Sequence, residues 1–393
     1  MKVAVVKETF PGERRVGLVP VSVPLLIKSG LEVLVQAGAG EAAGFADQLY
    51  VDKGAKIAAT RDEAFAADII VQVRSLGTNL KAGQGDLARL RSGQVLLGMC
   101  DPLGEPKAVD EIAKTGATLF ALELIPRTTR AQSMDVLSSM ATVIGYRAVL
   151  LAATELPKLF PMLMTAGGTL TAAKAFIIGA GVAGLQAIAT AKRLGAVVRA
   201  YDLRPACREQ VESVGGKFVE LPLEAGDAQD KGGYAKQQGE EFYRKQRELL
   251  TKVVGESDVV ITTAAIPGKA APQLITAEAV AAMHVGSVIV DLAADRGGNC
   301  ALTKADQRVI SGGVTILGPT NLASEAPTHA SQMFSSNVTA LLQHLVKEGK
   351  LELNRDDEII RETIAAQAGQ IAHPRIREAL GLAVEKTDEP LYK

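Results

Sequence analysis

Charge of neither sign is in excess: 43 basic residues stand against 44 acidic ones, so no basic field exists to attract nucleic acid. Cysteine is scarce. Cys100, Cys207 and Cys300 lie far apart with no C-x-x-C pair, which argues against a disulfide scaffold or a zinc site and suits a reducing compartment. No segment reads as the ~20 predominantly apolar residues of a membrane span. The stretch from Ala175 to Ala191 falls short, and the one from Val136 to Thr154 is interrupted by Arg147. The opening Met1-Lys-Val-Ala-Val-Val-Lys-Glu8 reads as an immediate strand and not as a signal peptide. Any membrane link is therefore expected through a partner. Histidine is scarce as well: His284, His329, His344 and His373 are the four, and none precedes residue 284. What remains is globular, 47% hydrophobic and 22% charged, in a chain long enough for two domains.

The most informative segment is Lys174-Ala-Phe-Ile-Ile-Gly-Ala-Gly-Val-Ala-Gly184. An apolar run leads into Gly179-x-Gly181-x-x-Gly184. An alanine-rich helical stretch follows, then the run Ala196-Val-Val-Arg-Ala-Tyr201, ending at Asp202. Gly179 serves the tight turn, Gly181 lets the backbone approach a pyrophosphate, and Gly184 lets helix pack on strand. The helix N-terminus offers free N–H groups and a partial positive charge. The glycines alone are weak evidence; strand, helix and an acid roughly 20 residues on make a dinucleotide fingerprint. Asp202 can accept from adenine-ribose hydroxyls and would repel a 2′-phosphate, which predicts NAD(H). Arg204 then flanks the adenine.

Short apolar runs at Lys2–Val6, Glu32–Gln36, Asp68–Val73, Gln94–Met99 and Thr118–Leu122 alternate with helical stretches. This predicts a doubly wound parallel sheet. Ser133–Leu156 reads as one long helix bridging the domains. Gly216–Glu220, Asp258–Thr263, Ser287–Ala293 and Val314–Leu317 read as strands of a second unit, and Met333–Glu348 as a helix returning to the first. The fold expected is α/β, two Rossmann-like parallel-sheet domains linked by long helices. Residues 1–135 with 325–380 form the first, 136–324 the second, and 381–393 a tail. Between Pro222 and Gly239 lies a long glycine-bearing segment in which Tyr234 follows Gly232-Gly233. Loops of this length are either functional lids or solvent loops, and both readings stand.

Arg127-Thr-Thr-Arg-Ala-Gln132-Ser-Met-Asp135 places an Arg, a Gln and an Asp ahead of the long helix. Arg127 and Gln132 can donate to a carboxamide oxygen, and Asp135 can accept from its amine. Helix capping by Ser133 or Asp135 explains some of the same pattern. A dehydrogenase of hydroxyl, carbonyl or imine groups moves a proton with its hydride and usually carries a His or Lys for it. Hydride transfer between two nicotinamide rings needs only positioning and water exclusion, which fits a chain with no early histidine.

The chain resembles the NAD(H)-binding domain I subunit of proton-translocating nicotinamide nucleotide transhydrogenases over roughly residues 1–380. The matching motifs are Lys7-Glu-Thr-Phe-Pro-Gly-Glu-Arg-Arg-Val-Gly-Leu-Val-Pro20, the Arg127…Asp135 loop, the glycine fingerprint with Asp202-Leu203-Arg204, the Tyr234 loop and Thr262-Thr-Ala-Ala-Ile-Pro-Gly268. The resemblance implies a homodimer of two-domain protomers binding NAD(H). Arg127, Gln132 and Asp135 would serve hydride transfer at the nicotinamide end, with Ser133, Met134 and Ser138 beside them. Gly179, Gly181 and Val182 would meet the pyrophosphate. Asp202, Leu203 and Arg204 would take the adenosine, with Tyr234 and Ala264 completing the site and no metal. NADP(H) would sit on a separate domain III subunit, and a transmembrane subunit would couple transfer to proton movement, holding this chain at the cytoplasmic face of the inner membrane. Alanine dehydrogenases are the near relatives and the alternative. They carry a Lys where Arg74 stands and a catalytic His in the stretch that here reads Leu96-Leu-Gly-Met-Cys-Asp101. A non-catalytic NADH-sensing subunit is the reading of another class. Ending at Lys393 without membrane helices, the chain resembles the form of the enzyme split over three polypeptides.

Overall fold

The computed structural model describes residues 1–221, 239–266 and 268–383, with Glu240 by its backbone alone. The Tyr234 segment lies outside the described residues. The chain forms two compact units: Met1–Met140 with Ser324–Lys393, and Ala141–Ala323.

In the first unit the strands run in the order Thr118–Ala121, Val95–Met99, Ile69–Arg74, Lys2–Val5, Glu32–Gln36 and Lys56–Ala58, all parallel. This is a doubly wound order whose direction reverses between Lys2–Val5 and Ile69–Arg74. Val3, Ala4, Val5, Ile69, Ile70 and Val71 are wholly buried, as strands covered on both faces must be. Local signals agree: the N-cap Thr60 accepts from Glu63 N, and Glu63 Oε2 accepts from Ala59 N, one residue before the cap, at 2.7 Å, a variant of the capping box.

The structure departs from the sequence reading at several points, among them the parallel edge strand Lys56–Ala58, which was not read. In the segment after 355, where no strand was read, Ile364–Gln367 joins Thr118–Ala121 antiparallel and pairs onward with Gln370–Ile371. The long helix, read from Ser133, starts at Val136 and runs to Glu155. Thr129–Met134 winds as a 3-10 turn instead, and Asp135 takes the cap position.

The second unit repeats the same order with Lys217–Phe218, Val197–Tyr201, Lys174–Ile178, Val259–Thr262, Val288–Asp291 and Val314–Leu317. Arg308–Ser311 adds an antiparallel edge. Its reversal lies between Lys174–Ile178 and Val259–Thr262, where such folds place their ligand crevice. The helix Val182–Arg193 packs on this sheet, burying Gly184, Ala187, Ile188 and Ala191. A β-hairpin, Leu163–Thr165 with Gly168–Leu170, was not anticipated, and every residue of both strands is exposed. Among the described residues one helix, Val136–Glu155, is long and apolar enough to cross a membrane, and 39% of its apolar window is buried in the protein.

Candidate functional site

At the reversal point of the second unit, Gly179 leaves the strand with φ +99. A Cβ there would lie 2.3 Å from Thr263 Oγ1, and one on Gly184 would lie 1.8 Å from Gly179 O. Neither position admits a side chain. Gly181 is different: a Cβ there would meet nothing within 4 Å. It is the residue before the helix Val182–Arg193 and supplies no side-chain cap, so no capping side chain takes up the first-turn N–H groups, which have no partner within the helix. Behind this turn, a Cβ on Gly145 of the long helix would lie 2.1 Å from Ala183 O, which marks the close packing that holds the helix start. An open cradle with free amides and a positive dipole end fits a phosphate group.

Asp202, 8% exposed, closes the turn from the next strand. Its Oδ2 accepts from Ala180 N at 2.7 Å, and its Oδ1 from Arg204 N at 2.9 Å and Nε at 2.8 Å; Arg204 Nη2 reaches Oδ2 at 2.9 Å. Burial alone would raise this carboxyl, but the Arg204 guanidinium and the two amides outweigh it and hold it below the usual range. Asp202 thus orders the glycine turn as well as presenting a carboxylate. Leu203, next in the chain, is partly exposed, and Val182 at the helix start is exposed.

The facing segment after Val259–Thr262 is fixed from behind. Thr263 N donates to Ile178 O at 2.8 Å, and its hydroxyl reaches Gly179 O at 3.2 Å. Asn299, fully buried, brackets Ala264: its Oδ1 accepts from Ala264 N at 3.1 Å and its Nδ2 donates to Ala264 O at 2.8 Å. Asp291 in turn holds Asn299 N at 2.7 Å, with Thr262, Ala293, Cys300 and Thr303 also donating to it. Sequence reasoning missed Asn299.

In the first unit the Arg127–Asp135 loop divides its residues by the 3-10 period, in which i and i+3 share a face. Ala131 and Met134 are buried; Arg127, Gln132 and Ser133 are exposed. Met134 therefore anchors the loop with its side chain. Asp135 is a true cap: its Oδ1 accepts from Ser138 N at 2.9 Å and its Oδ2 from Ser138 Oγ at 2.6 Å. Capping is thus one of its roles, with carboxylate lone pairs to spare. Gln132 makes no side-chain hydrogen bond among the described residues.

The reversal point of the first unit holds a charge cluster. Glu13 accepts from Arg15 Nε at 2.7 Å and Arg74 Nε at 2.8 Å, and these two cations hold its carboxyl down near 2 against burial. Arg74 also lies 4.2 Å over the Phe10 ring. Cys100 is fully buried, and burial with the charges of Glu123 and Asp101 pushes its thiol well above the usual value. It is not a proton carrier at neutral pH.

The open glycine cradle, the acid at the neighbouring strand tip and the two doubly wound sheets define a nucleotide-binding protein of the dehydrogenase class. Family comparison agrees. Residues 4–144 match the alanine dehydrogenase/PNT N-terminal domain and residues 148–374 the alanine dehydrogenase/PNT C-terminal domain. The chain belongs to the alanine dehydrogenase/PNT family. It is 45% identical over 380 residues to the first portion of the divided NAD(P) transhydrogenase subunit alpha of Rhodospirillum rubrum, covering 96% of this chain and 99% of that one. To the NAD(P) transhydrogenase subunit alpha of Cereibacter sphaeroides it is 42% identical, covering 95% and 71%. Alanine dehydrogenase of Bacillus subtilis is more distant at 27%, covering 97% and 95%. Among solved structures, the transhydrogenase from Sinorhizobium meliloti superposes with a TM-score of 0.82 at 41% identity, covering 95% and 99%.

Proposed function

We propose that this chain is the NAD(H)-binding subunit of a proton-translocating NAD(P) transhydrogenase. It would pass hydride from NADH to NADP+ held on a separate subunit. The observation that carries the reading is the cradle over Gly181, open and lined by first-turn amides, in a chain that aligns over nearly its whole length with the Rhodospirillum rubrum transhydrogenase polypeptide. The amides of the Val182–Arg193 helix bind the pyrophosphate. Asp202 takes the adenine-ribose hydroxyls and disfavours a 2′-phosphate, so equal affinities for NADH and NADPH would remove that assignment. Arg127 and Gln132 donate to the carboxamide oxygen, and Asp135 accepts from its amine while capping its helix. The bound nicotinamide supplies the hydride. The protein's own task is orientation and water exclusion, which suits a buried, unionised Cys100 in the stretch where alanine dehydrogenases carry a catalytic His.

The hairpin supports a homodimer. Met162 is 58% exposed, Met164 79% and Leu170 48%. Two isolated strands are marginal in water, and an apolar surface of this kind marks a contact site. A second copy of the chain is the partner proposed for it. An NADP(H)-binding subunit and a membrane subunit complete the assembly, and the chain sits peripherally on the membrane through them.

The deciding experiment mixes the chain with a candidate NADP(H)-binding subunit and follows NADPH-dependent reduction of an NAD analogue. Gln132→Asn should slow transfer on the order of 10²-fold, the cost of a ~1 Å misplacement, while leaving the NADH dissociation constant within about threefold. Oxidation of alanine by the pure chain would overturn the proposal, as would absence of transfer in the mixture.

A further inference from the structure

The exposed side of the Arg127–Asp135 loop carries its functional side chains, and two polar contacts tie the loop to the rest of the unit, one buried at Asn337 and one at the surface through Arg130. Asn337, on the helix Pro327–Leu345, is 7% exposed. Its Nδ2 donates to Ser133 O at 2.8 Å, which fixes the orientation of the amide, since only nitrogen can serve a carbonyl. Its Oδ1 is buried without a partner among the described residues, so the amide is kept in this place at a cost. The second contact is an ion pair. Arg130, one turn ahead of Ser133, meets Asp357 Oδ2. Asp357 is itself immobilised: its Oδ1 caps the helix Glu358–Thr363 through Ile359 N at 2.8 Å, and His344 Nε2 stands 3.1 Å from Oδ2. Both contacts belong to the first unit, and neither residue is among those assigned to nucleotide or hydride.

We propose that Asn337 and Asp357 are positioning residues that seat the loop bearing Arg127, Gln132 and Asp135. A 3-10 turn has poor internal hydrogen-bond geometry, and two buried apolar anchors, Ala131 and Met134, leave rotation about their line undetermined. The bond to the Ser133 carbonyl and the Arg130–Asp357 ion pair add two further attachments, and these limit that rotation. Small residues or apolar packing at 337 would fill the space without directing Gln132. The inference rests on the reading of this loop as the nicotinamide-orienting element.

The test uses the full chain and isosteric variants. Asn337→Asp keeps the shape but sets an acceptor against the Ser133 carbonyl. Asp357→Asn keeps the shape and removes the charge, and serves if Asn337→Asp fails to fold. Arg130→Lys should restore some of what Arg130→Ala loses. Amide exchange of residues 128–134 should quicken at least tenfold in the aspartate and asparagine variants while exchange in the central strands stays unchanged. In the reconstituted mixture, hydride transfer at saturating NADH should fall tenfold or more with the NADH dissociation constant within threefold. Arg130→Ala combined with Asp357→Asn should be no slower than either alone, as expected of residues acting as one contact. Unchanged exchange in the loop overturns the proposal. So does a loosened loop with full transfer rate, or a rate that falls only as binding falls. If the unmutated chain transfers no hydride, the functional reading fails, and loop exchange still decides the seating.

Discussion

Replacing Gly181 by alanine separates the fold from the nucleotide. Gly181 has φ −74, a region open to any residue, and an added Cβ touches nothing within 4 Å. The unliganded protein should tolerate it. Less freedom in the unfolded chain stabilises by ~0.4–1 kcal/mol, and a poorer cap residue offsets a few tenths of that, so the melting temperature should scarcely move. The methyl does fill the space through which a phosphate would approach the backbone. Losing one amide bond to a charged oxygen costs about 1.5–3 kcal/mol, or roughly a 10- to 150-fold rise in the dissociation constant. Gly184→Ala is the contrast. Its Cβ would lie 1.8 Å from Gly179 O, so helix and turn must separate by more than about 1 Å, and overpacking of this kind costs ~1–3 kcal/mol. Melting curves with and without NADH, together with a fluorescence titration of NADH, measure both effects. Gly181→Ala should lose binding alone, and Gly184→Ala both binding and stability. A Gly181→Ala protein that binds NADH as the unmutated chain does would show that no phosphate crosses that Cα, and the cradle would be only a turn.

Two further outcomes follow from named groups. Burial, with the charge of Asp101 adding, raises the Glu123 carboxyl from 4.5 to about 7 against bonds from the Asp101 and Cys100 amides. The folded state therefore holds this proton more tightly than the unfolded one. The stabilisation is complete below about pH 4.5 and is lost as pH rises through about 7, a difference of at most ~3 kcal/mol; Glu123→Gln should flatten the fall in unfolding midpoint between pH 5 and 8, and equal slopes in both proteins would show that the carboxyl stays ionised. Met164→Glu, at a position 79% exposed, should leave the fold intact and halve the sedimenting mass; a variant that remains dimeric, or an unmutated chain that is already a monomer, would sink the hairpin assignment.

The parallel strands, the short and partly exposed Lys56–Ala58 apart, were legible because buried strands read as continuous apolar runs. Ile69–Val71 and Val259–Ile261 leave no other reading. The fingerprint was legible because its chemistry is local. The hairpin was not: Leu163, Met164 and Leu170 face outward, so their pattern resembles a linker more than a sheet. The strand Ile364–Gln367 was hidden by the charges around it. The supports of the candidate site were illegible for a plainer reason. Asn299 lies 35 residues from Ala264, Asn337 204 from Ser133, and Asp357 227 from Arg130, far beyond the ~11–18-residue windows in which periodicity speaks. Asp135 shows the converse case, in which the capping pattern and the proposed contact with a carboxamide use one side chain.

The first unit is assembled from both flanks of the second, since Met1–Met140 and Ser324–Lys393 enclose Ala141–Ala323. During synthesis the two units cannot mature in the order in which they begin. The edge of Thr118–Ala121 that Ile364–Gln367 will cover emerges early and then waits for more than two hundred residues, on the order of 10–50 seconds at ordinary elongation rates. Throughout that interval the nascent chain carries an unpaired strand edge, a template for pairing with a neighbouring chain. The ribosome thus finishes the inserted unit while its host is still incomplete, and the strands Ile364–Gln367 and Gln370–Ile371 complete the first sheet only afterwards.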